Sequence, residues 1–174
     1  MPTIVRPADT EYAPFYAGYV ARVPDGDVVA LLRSQIGETL ALLRDVPESR
    51  GTHRYAEGKW SIKEVVGHLT DTERVMTYRA LRIARGDRTP LAGFDENAFV
   101  RNASFDQRTL ASLRAELELV RSASIALFET MTAEEAARVG TANDRDVTAR
   151  ALAYIVAGHE RHHVALLRER YLAG

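Results

Sequence analysis

Apolar residues recur at intervals of three and four along four segments of this chain, which is the spacing of a buried helical face. The segments span residues 25–43, 61–85, 104–131 and 148–171. Ser61–Glu64 and Ser104–Gln107 each have the pattern of a capping box, which begins a helix. Gly86 follows the second segment as a natural stop. No alternating strand pattern lies between the segments, so the sequence predicts an all-α fold, a four-helix bundle.

The segments before and between the predicted helices are expected to form loops and irregular structure. We expect residues 1–24 to form an irregular lead-in whose aromatic residues cover one end of the core rather than stack on a substrate. Residues 47–59 form a predicted loop, and residues 87–102 form a long connection suited to a crossover between bundle ends. A short extra helical turn is predicted at residues 132–135, followed by a loop past Gly140 and Asn143. The aromatic residues of the lead-in are Tyr12, Phe15, Tyr16 and Tyr19.

Composition narrows the class of protein. The 174 residues are 46% hydrophobic and 27% charged, which is typical of one globular domain spanning residues 1–174. Net charge is -1 with both signs interspersed, so we expect no nucleic-acid partner and no membrane partner. No signal-peptide pattern begins the chain, and there are no cysteines. We therefore expect a cytoplasmic protein in which any metal is held by histidine, carboxylate or water.

Three histidines interrupt the predicted buried faces. His159 and His163 are four residues apart, so they share one face of the last helix, and His68 lies within the stripe of the second helix. Three imidazoles with an open fourth position are typical of a catalytic zinc-like site. We predict His68, His159 and His163 as metal ligands; the alternative is that they are core histidines with ordinary hydrogen bonds. The stripe around the histidine pair consists of Leu152, Ile155, Val156, Leu166 and Leu167.

The other polar residues near the three histidines are not predicted to be metal ligands. His162 lies at the edge of the histidine face, and His53 is predicted to be a surface residue. Glu73 is expected to point away from His68, whereas Asp71 lies near the edge of its face. Glu160 is interpreted as a solvent-facing charge.

Residues 159–163 also match the H-E-x-x-H pattern of zinc proteases. Those enzymes take a third ligand downstream, yet only eleven residues follow His163 and none is histidine. The protease interpretation is therefore disfavoured.

Two motifs resemble those of a known family. Lys59–Leu69, followed by Asp71 and Glu73, resembles the first signature of the DinB/YfiT-like metalloenzyme superfamily. Gly158–His163 resembles the second signature, and the segments 78–81 and 86–91 between them also fit. The likeness extends from about residue 25 to residue 172.

The resemblance implies an up-down-down-up bundle with a divalent metal, usually nickel or zinc, on three histidines. Carried over to this chain, those are His68, His159 and His163. Members of the family are often homodimers. They include S-transferases that use a low-molecular-weight thiol, such as bacillithiol or mycothiol, and a mycothiol-dependent maleylpyruvate isomerase.

The function predicted on this basis is a thiol-dependent S-transferase that acts on small electrophiles, because a metal lowers the pKa of a thiol that it binds. A hydrolase using water is the first alternative, and a non-catalytic stress-response protein stabilised by its metal is the second. Arg79 is a candidate for binding an anionic cosubstrate, although a surface or interface salt bridge is the favoured interpretation. Tyr78 and Tyr154 are interpreted as packing residues.

Overall fold

Four long helices dominate the computed structural model, which describes residues 4–173. Two shorter helices and one β-hairpin connect them, and a third short helix precedes the first long one. In chain order the elements are α1 (Ala17–Val20), α2 (Val28–Arg44), α3 (Ile62–Ala84), α4 (Glu96–Asn102), α5 (Leu110–Glu129), α6 (Ala133–Ala137), β1 (Val139–Ala142), β2 (Arg145–Thr148) and α7 (Ala149–Leu166).

Two hydrophobic clusters, one at each end of the bundle, fix the direction of each long helix. The first cluster contains the start of α2, the end of α3, the end of α5 and the start of α7. The second contains the end of α2, the starts of α3 and α5, and Leu167 just after α7. The helices α2 and α7 therefore run in one direction, and α3 and α5 run in the other. This is the predicted up-down-down-up four-helix bundle.

Capping residues set most helix boundaries as predicted. The Asp27 carboxylate accepts hydrogen bonds from the first turn of α2, and Ser61 forms a complete capping box with Glu64 at the start of α3. The Thr148 hydroxyl caps α7 by accepting a hydrogen bond from the Ala151 N–H, and a π-helical turn over Leu167–Tyr171 extends that helix to its predicted end.

The predicted start of the third long helix was wrong. Ser104 caps no helix, because Phe105–Gln107 form a 3-10 turn and α5 begins only after Thr109. Phe105 is buried against α3, where a Cβ on Gly67 would lie 2.4 Å from its ring. Docking of this ring onto α3 takes the chain off the axis of α5, which local capping signals do not reveal.

The expectation of no strands was also wrong. The strands β1 and β2 pair antiparallel around Asn143 and Asp144, both of which have positive φ, at 52° and 58°. Positive φ at both central residues is the geometry of a two-residue type I′ hairpin. Four-residue strands are too short to show a clear alternation, so their pattern resembled a loop.

The long connection after α3 is more ordered than expected. It contains α4, whose first turn is capped by Asp95, and Leu91 pairs with the hairpin through two backbone hydrogen bonds of 2.9 Å. The connection therefore lies against the same end of the bundle as the lead-in. None of the described helices is long and apolar enough to cross a membrane.

Candidate metal centre

His68, His159 and His163 lie together in the middle of the bundle. The Nε2 atoms of His68 and His159 are 2.9 Å apart, and one ring nitrogen from each of the three residues lies within 4.8 Å of the others. All three side chains are buried, with 3%, 5% and 7% of their surface exposed. Within residues 4–173 this is the one such group of three histidine or carboxylate side chains. The structure thus brings together the three residues that the sequence selected.

Helix geometry and one hydroxyl group orient these rings. His159 and His163 are one turn apart on α7, with ring centroids 4.6 Å apart, and the His68 ring approaches from α3 at 4.8 Å from each. Thr72 Oγ1 lies 3.3 Å from His68 Nδ1, which leaves His68 Nε2 facing the other two rings. The Trp60 ring packs over His68 at 4.6 Å and shields it from solvent.

The imidazoles are held in the neutral form. Burial lowers the pKa of His68 to about 4 and that of His163 to about 3, and repulsion from neighbouring histidines acts in the same direction. Burial likewise holds the pKa of His159 well below its usual value. Neutral imidazole is the form that binds a metal.

The donor set fits a divalent cation. His163 Nδ1 is buried with no hydrogen-bond partner among the described residues, which is costly for a polar atom. Three neutral nitrogen donors that converge within bonding reach of one point suit zinc or nickel. The remaining histidines lie outside the cluster, His162 being half-buried beside Tyr19 and His53 exposed.

Glu160 is buried, so its interpretation as a solvent-facing charge was wrong. Only 2% of its surface is exposed, and its carboxylate accepts hydrogen bonds from Thr39 Oγ1 at 2.6 Å and Arg121 Nη2 at 2.7 Å. The reason is the central position of α7, which is buried on all sides from residue 151 to residue 160. Sequence spacing cannot show that a helix lacks an exposed face.

Arg121 on α5 is the polar residue that sequence reasoning missed. Its guanidinium donates from Nε and Nη2 to the two oxygens of Glu73, both at 2.8 Å, and it is 1% exposed. Burial alone would lower its pKa, but the carboxylates of Glu73 and Glu160 raise it above the usual value. The one available signal was an arginine within the apolar stripe of α5, four residues after Leu117 and three before Ser124.

The network of Arg121, Glu73 and Glu160 carries one net negative charge next to the histidines. Glu160 directly follows His159 on α7, and Glu73 directly follows Thr72, the residue whose hydroxyl contacts His68 on α3, so the network lies beside the cluster on two helices. A void of about 10 Å³, enough for about one water molecule, lies between the network and His159. The negative charge favours a cation at the centre.

A solvent-connected cavity of about 250 Å³ adjoins the cluster on the side of His159. The aromatic part of the cavity wall is formed by Tyr16, Tyr19 and Phe94. The Tyr19 ring contacts the His159 ring edge to face, with the ring centroids 5.3 Å apart. Arg79 lines the same cavity. The aromatic residues of the lead-in therefore line the cavity next to the histidines; Tyr12 alone among those four is buried in the core.

Comparison with known proteins identifies the family. The chain matches the DinB superfamily over residues 31–167. It belongs to the DinB superfamily. The family predicted from the two histidine motifs is thereby confirmed.

One DinB relative comes from Oceanobacillus iheyensis. The two sequences are 28% identical over 138 residues, which cover 78% of this chain and 76% of the relative. That relative bears the provisional name of a metal-dependent hydrolase.

Solved structures share the DinB fold. YfiT from Bacillus subtilis, described as a proposed metal-dependent hydrolase with an unusual four-helix bundle topology, superposes with a TM-score of 0.73 at 20% identity over 91% of each chain. The mycothiol-dependent maleylpyruvate isomerase superposes with a TM-score of 0.68 at 15% identity, over 84% of this chain and 61% of the isomerase. At these identities the likeness establishes the fold.

Proposed function

We propose that this protein is a metal-dependent enzyme acting on small molecules, with a divalent ion held by His68, His159 and His163. The observation that carries the proposal is the convergence of three buried, neutral imidazoles beside an open cavity. A divalent ion bound there acts as a Lewis acid and lowers the pKa of the nucleophile beside it.

Access to the centre supports catalysis over a purely structural metal. Structural zinc sites are closed by four protein ligands, whereas catalytic sites keep a position for substrate. Here three side chains form the cluster, and His159 borders a cavity that is open to solvent. Tyr16, Tyr19 and Phe94 would enclose the apolar part of a substrate and exclude water from it.

Hydrolysis is the candidate that we favour, with water as the nucleophile. A cavity of about 250 Å³ has room for one small substrate beside the histidines, which suffices for a reaction with water. The provisional names of the Oceanobacillus relative and of YfiT agree with this reaction.

Thiol transfer is the second candidate, with a low-molecular-weight thiol as cosubstrate. The sequence motifs predict it, and one structural neighbour is described as mycothiol-dependent. Arg79 in the cavity wall offers a positive charge for an anionic cosubstrate, which is the specific observation in its favour. The two candidates differ in the nucleophile and share the histidine site.

The identity of the metal and the oligomeric state of the protein stay predictions. Nitrogen donors suit nickel and zinc alike, so metal analysis must decide between them. A homodimer is expected for the family, and α3 and α5 expose Tyr78, Leu81 and Leu119 at 51%, 39% and 72%, which offers apolar surface for a second copy. Sedimentation velocity would measure the assembly directly.

The first test is metal content. Untagged wild-type protein should contain close to one nickel, zinc or similar ion per chain by mass spectrometry, and the His159→Ala variant should lose it. His162→Ala is the matched control, because His162 is the adjacent histidine outside the cluster, and it should keep the metal. Wild-type protein that stays metal-free after reconstitution would refute the proposal.

The second test identifies the nucleophile. Metal-loaded protein is incubated with a small activated ester in oxygen-labelled water, with and without an added thiol, and the products are analysed by mass spectrometry. Label in the released acid indicates hydrolysis, and a thioester product indicates transfer to the thiol. Stoichiometric metal with neither product would favour a non-catalytic role for the metal.

A further inference from the structure

Arg79 is a buried cation without a counter-charge. Only 3% of its surface is exposed, although it lines the cavity next to His159. Its Nη2 donates to the backbone oxygen of Ala92 at 2.8 Å, its Nη1 contacts Met76 Sδ at 3.7 Å, and its guanidinium lies 5.7 Å from the Phe94 ring centroid. It is buried and forms no salt bridge with a carboxylate of residues 4–173, so the interpretation as a surface salt bridge was wrong, whereas an interface salt bridge stays a prediction.

A lone buried guanidinium is costly, because arginine stays protonated and its charge has lost its water. The other buried arginine of residues 4–173, Arg121, is paired with two carboxylates. Arg79 has a carbonyl, a sulfur atom and an aromatic face instead. Its remaining N–H groups are therefore available to a negatively charged ligand in the cavity.

Arg79 is placed to hold the far end of a molecule that reaches the histidines. It follows His68 by eleven residues on α3, or roughly 16 Å along the helix axis. Helical side chains lean toward the N-terminus, so the arginine leans toward the metal centre. Thr72 and Met76 line the cavity between these two residues on the same helix.

We propose that the cavity selects small molecules that carry a carboxylate, which pairs with Arg79, and an apolar or aromatic body, which packs on Tyr16, Tyr19 and Phe94. The planar guanidinium fork matches a carboxylate in geometry. One cation balances one negative charge, and the carboxylate of Glu96, at the exposed rim of the same cavity, disfavours ligands with higher negative charge. The proposal thereby names the class of substrate for the proposed enzyme. Binding of the carboxylate does not depend on that function, but describing the ligand as a substrate rests on it.

The test compares phenylacetate with phenylacetamide, which have the same ring and nearly the same shape but differ in charge. Affinities are measured by isothermal titration calorimetry on the full chain. Wild-type protein should bind the carboxylate at least about tenfold more tightly, as expected for a charge-assisted pair. The Arg79→Gln variant should bind both ligands about equally, because glutamine can still donate to Ala92 but carries no charge.

Two control variants isolate the role of the charge. Arg82→Gln changes an arginine one turn further along α3, outside the cavity, and should leave the preference unchanged. Arg79→Lys keeps a positive charge and should retain part of the preference, so it reports on the charge even if the glutamine variant misfolds. Circular dichroism establishes that each variant is folded.

Equal affinity of wild-type protein for the two ligands, or no binding of either, would overturn the proposal. A carboxylate preference that persists in Arg79→Gln would also overturn it and would assign the preference to the metal. Repeating the titration after the metal has been removed by a chelator distinguishes failure of this proposal from failure of the proposed function. An Arg79-dependent preference should survive metal removal, whereas loss of metal-dependent activity concerns the function alone.

Discussion

Gly158 shows how one residue sets the distance between the lead-in and the candidate metal centre. A Cβ at this position would lie 2.0 Å from the backbone oxygen of Tyr19, so only glycine allows α1 to approach α7 this closely. This approach brings the Tyr19 ring against His159, the next residue of α7. The cavity wall beside the histidines therefore depends on a missing side chain.

We predict that Gly158→Ala destabilises the protein by about 2–3 kcal/mol, because backbone rather than a flexible side chain must move. Urea unfolding measures the change. The matched control is Gly37→Ala on α2, where a Cβ meets nothing within 4 Å; it should stabilise the protein by about 0.5–1 kcal/mol, since alanine favours helix. A Gly158→Ala variant as stable as wild type would contradict the close approach.

At the scale of single elements, the backbone conformation of the hairpin limits which residues can occupy its turn. Asn143 and Asp144 adopt left-handed φ, which asparagine and aspartate tolerate better than most residues and glycine tolerates best. The backbone pairing of Leu91 with the hairpin holds the connection after α3 against β1. Asn143 also lines the cavity, so the hairpin turn helps to shape the candidate site.

We predict that Asp144→Gly stabilises the protein by about 0.5–1 kcal/mol, because glycine adopts the left-handed conformation without strain. Asp144→Val should destabilise it by about 1–2 kcal/mol, because a β-branched residue is strained there. Thermal unfolding of the pair measures both changes. Equal midpoints for the two variants would show that this turn geometry is not under strain.

At the scale of the whole molecule, the buried charge network joins all four long helices. Arg121 on α5 contacts Glu73 on α3 and Glu160 on α7, and it donates to the backbone oxygen of Leu32 on α2 at 3.2 Å. Every member is almost fully buried. Removing one partner therefore leaves unbalanced charge in the interior.

We predict that Arg121→Met destabilises the protein by about 3–5 kcal/mol, because two carboxylates lose their shared cation in a buried site. The control is Arg33→Met, which removes a more exposed pair between α2 and Glu129 and should cost at most about 1 kcal/mol. Chemical denaturation compares the two. Similar losses for both variants would mean that the network is hydrated in solution.

Acid should destabilise the metal-free protein through its three buried histidines. Their folded pKa values lie below 6.5, at about 4 for His68 and about 3 for His163, so the unfolded chain binds more protons in this range. The free energy of unfolding should therefore fall as the pH drops from about 6.5 toward 4, by roughly 3 kcal/mol from His68 alone.

Urea unfolding across this pH range measures the loss after chelation. The His68→Gln variant should show a smaller pH dependence, whereas His53→Gln, which changes an exposed histidine, should follow wild type. A stability that stays constant from pH 6.5 to 4 would contradict the burial of neutral imidazoles.

The sequence by itself determined the four long helices and the three histidines of the candidate centre. Both follow from local spacing: apolar residues at three/four intervals define a buried face, and His159 and His163 interrupt that face one turn apart. N-caps likewise depend on neighbours two or three residues apart, which is why the starts of α2, α3 and α7 were predictable.

Only the tertiary structure decided the burial and the partners of Glu160, Arg121 and Arg79. Each is a charged residue whose burial depends on what other helices cover it, and that information is not local. The same applies to Phe105, which docks on Gly67 and delays the start of α5. Whether a charged side chain meets water, a counter-charge or a cavity depends on packing between distant segments, because burial is a property of the assembled bundle.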